Sequence, residues 1–230
     1  MTLQVGLVAC NGFVLASDRK AVRNFRKLPE AGPRPRLTTS SKIIKILASE
    51  NGRLVCAFSG TDYSAVVAQH LVNSCPEQFD NESQIRKFLM ETSLGIERGG
   101  LGNELVIAAI PNAQGMGTLW GVTLGQEPLI QAHHSKVIGG EETNPAVYLI
   151  ESYYRESLSV DELIRLAAHF ICEGHRLSPC SVDGLDIFVS EDGGRNCFLA
   201  EEEKQALVGL SASIRMQNKR TIFQLEGDAK

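Results

Sequence analysis

The sequence predicts an α+β sandwich, with sheets packed on one another and helices outside. Three observations lead there. Four strand patterns, two helical patterns, about four more strands, two more helices and a closing hairpin follow in order. The chain opens on an Asn-Gly hairpin signal, Asn11-Gly12 between apolar runs. The strand–helix–strand rhythm of a doubly wound sheet is missing, and Gly99-Gly100-Leu101-Gly102 follows a helix and precedes a strand, the wrong order for a phosphate cradle.

Each element has a local reason. Leu3, Val5 and Leu7 alternate with Gln4, Gly6 and Val8, and Phe13 to Ser17 returns as the second strand. Residues 22–41 read as a solvated loop. They hold Pro29, Pro33 and Pro35, and five basic residues (Arg23, Arg26, Lys27, Arg34, Arg36) against the single acid Glu30. A second strand pair spans 43–46 and 54–58 around Asn51-Gly52. A helix runs from Thr61 or Asp62 to about Ser74, and another from Asn81 to Gly99-Gly100. Strands follow at 105–110, 118–123, 129–132 and 137–138. Thr143-Asn144-Pro145 starts a helix, and Ser159-Val160-Asp161-Glu162 is a capping box opening one that reaches about Gly174. Residues 185–189 and 196–199 form the last hairpin, and the tail from Glu201 fits no pattern clearly. No repeat divides the chain, which reads as a single domain over 1–230.

Composition narrows the function. The 230 residues are 43% hydrophobic and 22% charged, with a formal charge of −4, an ordinary globular balance. The sequence pI of about 5.8 argues against a nucleic-acid partner. No apolar run approaches the roughly 18 residues that span a bilayer, and Met1-Thr2-Leu3-Gln4 has no basic region ahead of an apolar one, so a cytoplasmic location is expected. Cys10, Cys56, Cys75, Cys172, Cys180 and Cys197 never reach CxxC spacing and read as reduced, buried small apolar residues. His169, Cys172, His175 and Cys180 match no zinc spacing, so no metal or other cofactor is expected.

Chemistry concentrates at the N-terminus. Removing Met1 ahead of the small Thr2 would leave a hydroxyl and a free α-amine on one residue. That amine titrates near ~7.7–8.0, so its neutral fraction can accept the hydroxyl proton. Hairpin pairing brings Asp18, at the end of the second strand, beside the start of the first. Lys42, opening the next strand, could lie between Asp18 and the Thr2 hydroxyl, lowering the pKa values of hydroxyl and amine.

The stretch Thr2–Ala21, TLQVGLVACNGFVLASDRKA, resembles the N-terminal hairpin of proteasome β-type subunits, which are N-terminal-nucleophile hydrolases. The family's Lys-Ile-x-x-Ile strand is similar to Lys42-Ile43-Ile44-Lys45-Ile46. Its small-residue turn resembles Ala57-Phe58-Ser59-Gly60-Thr61-Asp62. Gly100-Leu101-Gly102-Asn103, Leu158-Ser159-Val160-Asp161-Glu162 and Ser190-Glu191-Asp192-Gly193 resemble later motifs in the same order. The resemblance covers most of the chain and implies a four-layer αββα sandwich of the N-terminal-nucleophile hydrolase type, as in a bacterial-type proteasome homologue.

It further implies a threonine endopeptidase acting on peptide or unfolded-protein substrates inside a homo-oligomeric ring. Thr2 would be nucleophile and base, Lys42 would tune it, Asp18 would orient Lys42, and Ser181 would match a later catalytic-site serine. The oxyanion donor would fall at the backbone of Phe58 or Ser59. Ala21, Ser40, Ile44, Cys56, Gly60 and Ser64 would meet the substrate side chain, favouring a medium apolar residue. The pattern is departed from in four places: Phe58 replaces a glycine, Gly139-Gly140-Glu141 stands where a serine is usual, Ser178 replaces an aspartate, with Asp183 nearby, and the loop at 22–41 is expanded. These departures keep two alternatives in view, a non-catalytic ring subunit and a substrate-specific N-terminal-threonine amidase or transpeptidase.

Overall fold

The computed structural model describes residues 2–25, 37–95, 104–111, 118–125, 127–140 and 143–227, with side chains omitted at 22–25, 37–40 and 219–227. The alternation of the opening residues produces β1 (Leu3–Ala9) and β2 (Gly12–Ser17), paired antiparallel with Leu7 opposite Val14. The turn lies one residue earlier than Asn11-Gly12. Ala9 pairs with Gly12, so Cys10 and Asn11 form the turn, and neither has positive φ. Gly12 is needed for a different reason: its φ is +149°, and a Cβ there would lie 2.0 Å from the Ser190 carbonyl oxygen.

Among the described residues the strands form two five-stranded antiparallel sheets and one ribbon. The first sheet adds β10 (Lys136–Gly140), β11 (Asp186–Glu191) and β12 (Asn196–Phe198), in the order β10-β1-β2-β11-β12. The second runs β5-β6-β7-β8-β9, from β5 (Ile46–Ala48), β6 (Val55–Ser59), β7 (Glu104–Ile110), β8 (Thr118–Leu124) and β9 (Leu129–His133). The ribbon pairs β3 (Lys20–Phe25) with β4 (Leu37–Lys42), where the sequence reads as loop. Backbone pairing without an apolar stripe holds it, and the three prolines fall between its strands, outside the described residues. The strand expected at 43–46 lies instead at β5.

Strand alternation sorts side chains into three apolar layers. Phe13, Leu15, Val55, Ala57, Ile107, Leu119 and Phe188 fill the space between the sheets. Leu3, Val5, Leu7, Val14, Ala16, Ile187 and Val189 face the other way, onto α3 (Val147–Tyr153) and α4 (Val160–Leu177). On the far side Cys56, Phe58, Val106, Ala108, Trp120 and Val122 pack under α1 (Asp62–Asn73) and α2 (Glu82–Leu94). The result is the expected helix–sheet–sheet–helix arrangement.

The helix signals act as read. Thr61 caps α1, Asn81 caps α2, and Ser159 with Glu162 completes the capping box of α4. Helix α2 ends at Leu94 with Gly95 as its C-cap, and Gly99-Gly100, the end expected from the sequence, lie outside the described residues. The tail is α5 (Glu201–Gly227), held to its neighbours by polar contacts: Lys204 to Asp186, Ser211 to His169 and Arg215 to Glu173. Cys56 is buried, but Cys10, Cys180 and Cys197 are exposed, unlike the uniform burial expected from their apolar character. No helix among the described residues is long and apolar enough to cross a membrane.

Candidate active site

The site forms where the chain passes from the first sheet to the second. Thr2 precedes β1, and Asp18 follows β2 on the neighbouring strand. The register sets Gln4 opposite Ser17, so the next residue, Asp18, reaches the chain's start. Its backbone N–H donates to the Leu3 carbonyl at 3.0 Å, and its Oδ1 accepts from the Leu3 N–H at 2.9 Å. On the other side of Thr2, Leu3 pairs with Gly140 of β10. A Cβ at Gly140, where φ is +98°, would fall 1.8 Å from the Thr2 carbonyl oxygen. The glycine standing near the position of the expected serine is thus required by the close approach of Thr2.

After Asp18 the ribbon leaves the sheet and returns to where it began, with the Ile43 N–H donating to the Arg19 carbonyl at 2.7 Å. Three residues separate the ribbon from β5 of the other sheet, and this crossing carries Lys45 over Thr2. Lys45 Nζ donates to Thr2 Oγ1 at 2.8 Å and lies 3.0 Å from both Asp18 oxygens. It also donates to the Lys20 carbonyl, and Asp18 Oδ2 accepts from the Lys20 N–H at 2.8 Å. Thr2, Asp18 and Lys45 are all buried.

The lysine beside Thr2 is therefore Lys45, not Lys42. Lys42 ends β4 opposite Lys20, its side chain is 69% exposed, and its Nζ lies 3.7 Å from Asp183. It borders a separate cavity of about 510 Å³ between α4, α5 and the loop at 179–185. Both lysines lie in the same motif, but only Lys45 is flanked by isoleucines next to a buried strand. A cation inside an apolar run has to be paired, and that signal would have selected it.

Burial pushes the Lys45 ammonium below the ordinary lysine value of 10.5, against the opposing pull of Asp18. Burial likewise raises the Asp18 carboxyl, opposed by Lys45 and by the N–H groups of Leu3 and Lys20. The arrangement is a desolvated hydroxyl bonded to an ammonium whose proton is less firmly held than usual.

The other expected site residues divide. The Phe58 N–H donates to the Lys45 carbonyl at 3.1 Å, so it is not a free oxyanion donor, and its side chain faces the helices, where it leaves Thr2 uncrowded. Adjacent strand N–H groups point to opposite sides, which turns that of Ser59 toward β7, where Ser59 pairs with Leu105. Cys56 faces the α1–α2 layer and is fully buried there, so it lines no surface beside Thr2. Ser64 is buried in the first turn of α1, its N–H on Glu104 at 2.9 Å and its hydroxyl on the Thr61 carbonyl at 2.8 Å. Ala21 is partly buried in β3, Ile44 is 60% exposed next to Lys45, and Gly60 is exposed with φ +121°. The Ser40 side chain lies outside the described residues, as does Met1. Ser181 is buried, and among the described residues its hydroxyl bonds to neither Thr2 nor Lys45. Its loop reaches the site indirectly, through the Asp183 carbonyl on the Arg19 N–H at 2.7 Å. The Asp183 carboxylate faces Lys42 and His175 instead of Thr2.

Solved structures share this architecture. Anbu (ancestral beta-subunit) from Yersinia bercovieri matches with a TM-score of 0.70 at 14% identity, over 96% of each chain. An Anbu (Gly-1) mutant from Hyphomicrobium sp. strain MC1 matches with 0.65 at 13% identity, over 96% of this chain and 97% of that one. Anbu from the same strain gives 0.64 at 12% identity, over 95% and 97%. No family model matches the sequence, and no curated protein does. The chain has the fold of these Anbu structures. At these identities the likeness is one of fold.

Proposed function

We propose that this chain is an N-terminal-threonine peptidase, a bacterial-type proteasome relative working in a homo-oligomeric cytoplasmic ring, with residues 1–230 acting as one unit. The observation that carries the reading is the buried Thr2–Lys45–Asp18 arrangement, in which one ammonium contacts the hydroxyl and both carboxylate oxygens. A structural subunit has no need of a desolvated ion pair aimed at its second residue.

In this reading Met1 is removed and the Thr2 α-amine becomes the base. It takes the proton from Oγ1 as the oxygen attacks a peptide carbonyl, while the Lys45 ammonium stabilises the developing negative charge on Oγ1. The tetrahedral oxygen is held by backbone N–H groups, and we assign this role to Gly60, the first residue past the β6 ladder. The C–N bond then breaks, and the amine's proton passes to the leaving amino group. A water deprotonated by the same α-amine cleaves the resulting threonine ester, releasing the acid. Ile44 and Ala21 supply the apolar surface for a medium apolar side chain on the acyl side. Enclosure in a ring would keep an unspecific nucleophile away from folded proteins.

The test is hydrolysis of short peptide amides of varied acyl-side residue by protein whose N-terminal sequence begins at Thr2, with native mass measured on the same sample. Turnover by a multi-subunit species supports the reading. An assembled, processed but inert protein would indicate a structural subunit, and turnover of one defined amide alone would indicate an amidase. Turnover is expected to have an alkaline limb with an apparent pKa below 10.5, because burial lowers Lys45 and loss of its proton removes both the donor to Oγ1 and the counter-charge to Asp18. A pH profile flat beyond 10.5, with the fold intact, contradicts that role.

A further inference from the structure

Gln4 is wholly buried on the face of β1 turned toward the second sheet. It lies two residues from Thr2 and so shares its strand face. Its Nε2 donates to Ser59 Oγ at 3.0 Å and to the Leu105 carbonyl at 3.2 Å, and Ser59 Oγ donates to the same carbonyl at 3.3 Å. Because a carbonyl only accepts, Leu105 fixes which end of the amide faces it. That leaves Gln4 Oε1 buried with no partner among the described residues. Gly139, opposite Gln4 in the register, makes room for the amide: a Cβ there would lie 2.5 Å from Nε2 and 2.8 Å from Leu105 Cδ2.

A buried amide with half of its capacity unmet costs stability, and a leucine or methionine would fill the space without that cost. The tie it makes is specific. It joins the strand that follows Thr2 to Ser59, the last residue of β6 before Gly60. We propose that Gln4 is a positioning residue, a strut between the sheets that sets the height of Thr2 above the end of β6. The proposal rests on Thr2 being the nucleophile. Attack geometry is sensitive to small shifts: a displacement near ~1 Å can cost about 100-fold in rate. A strut acting on the reacting geometry changes kcat, whereas a space-filling residue changes stability alone.

The experiment compares wild type with Gln4→Met, Ser59→Ala and Gly139→Ala, each followed by peptide-hydrolysis kinetics, the rate of modification by a peptide epoxyketone, and Tm. Gln4→Met keeps the volume and removes the tie. Ser59→Ala removes the same bond from the other sheet, and Gly139→Ala displaces the amide without altering it. All three are expected to lower kcat, by up to about 100-fold, with KM near its wild-type value. Gln4→Met combined with Ser59→Ala is expected to be no slower than Gln4→Met alone. Wild-type kcat in folded Gln4→Met, a loss confined to KM, or additive losses in the double variant would overturn the strut. Should Gln4→Met not fold, the other two single variants decide between the same outcomes. A wild type inert to the epoxyketone would instead overturn the nucleophile on which the strut depends.

Discussion

Replacing Lys45 by alanine is expected to lower peptide cleavage by about 10²–10⁴-fold, the range for a group that handles a proton or its charge in the transition state. Lys42→Ala is expected to stay within about 2-fold of wild type, as an exposed substitution outside the site. The two lysines are three residues apart in one motif, so the contrast separates geometry from sequence similarity. Lys45 Nζ touches Thr2 Oγ1 and both Asp18 oxygens, whereas Lys42 meets Asp183 near solvent. Lys45→Ala also leaves the Asp18 carboxylate buried without its partner, at a cost of about 3–5 kcal/mol. Tm is therefore measured beside the rate, and Lys45→Ala assayed well below its Tm. Unchanged cleavage by Lys45→Ala, or collapse in Lys42→Ala, would sink the assignment.

The larger effect is expected at Thr2. Thr2→Ala removes the attacking oxygen, and loss of a nucleophile of this kind costs on the order of 10⁶ in kcat. Fold and assembly should survive, because Lys45 keeps Asp18 and the Lys20 carbonyl as acceptors after the hydroxyl is gone. The stability change should be about 1 kcal/mol, the worth of one hydrogen bond. Thr2→Ser, which restores the hydroxyl, should recover measurable cleavage. Native mass and peptide turnover on the three proteins check this. Full turnover in Thr2→Ala would place the chemistry elsewhere.

What the sequence makes legible here follows from how local each signal is. The strands of the opening hairpin, the capping box at Ser159 and the apolar run of 105–110 are written in neighbouring residues, and they fold as read, with the hairpin turn displaced by one residue. Asp18 follows from the hairpin register alone. Lys45 does not, because its approach to Thr2 depends on a crossing between sheets that the ribbon 20–42 sets up, and backbone pairing leaves that ribbon little side-chain pattern to recognise. The same holds for α5, whose polar contacts through Lys204, Ser211 and Arg215 give no apolar stripe. Cys56 and Ser64 are small residues near the right place in the sequence. Strand parity turns Cys56 to the helix layer, and Ser64 is taken up in capping α1. The glycines at 139 and 140 read as a departure from a family pattern, yet each has a steric reason in the fold: Gln4 for the first and the Thr2 carbonyl for the second.

Whether Thr2 presents a reactive hydroxyl and a free α-amine together is read from the intact mass of the purified protein with and without a peptide epoxyketone. The warhead forms a stable ring only with a residue carrying both groups. A mass lacking Met1 is expected, with a single adduct that maps to Thr2 and is lost in Lys45→Ala. A chain that keeps Met1, or one that has lost it and still takes no adduct, would rule out Thr2 as the nucleophile.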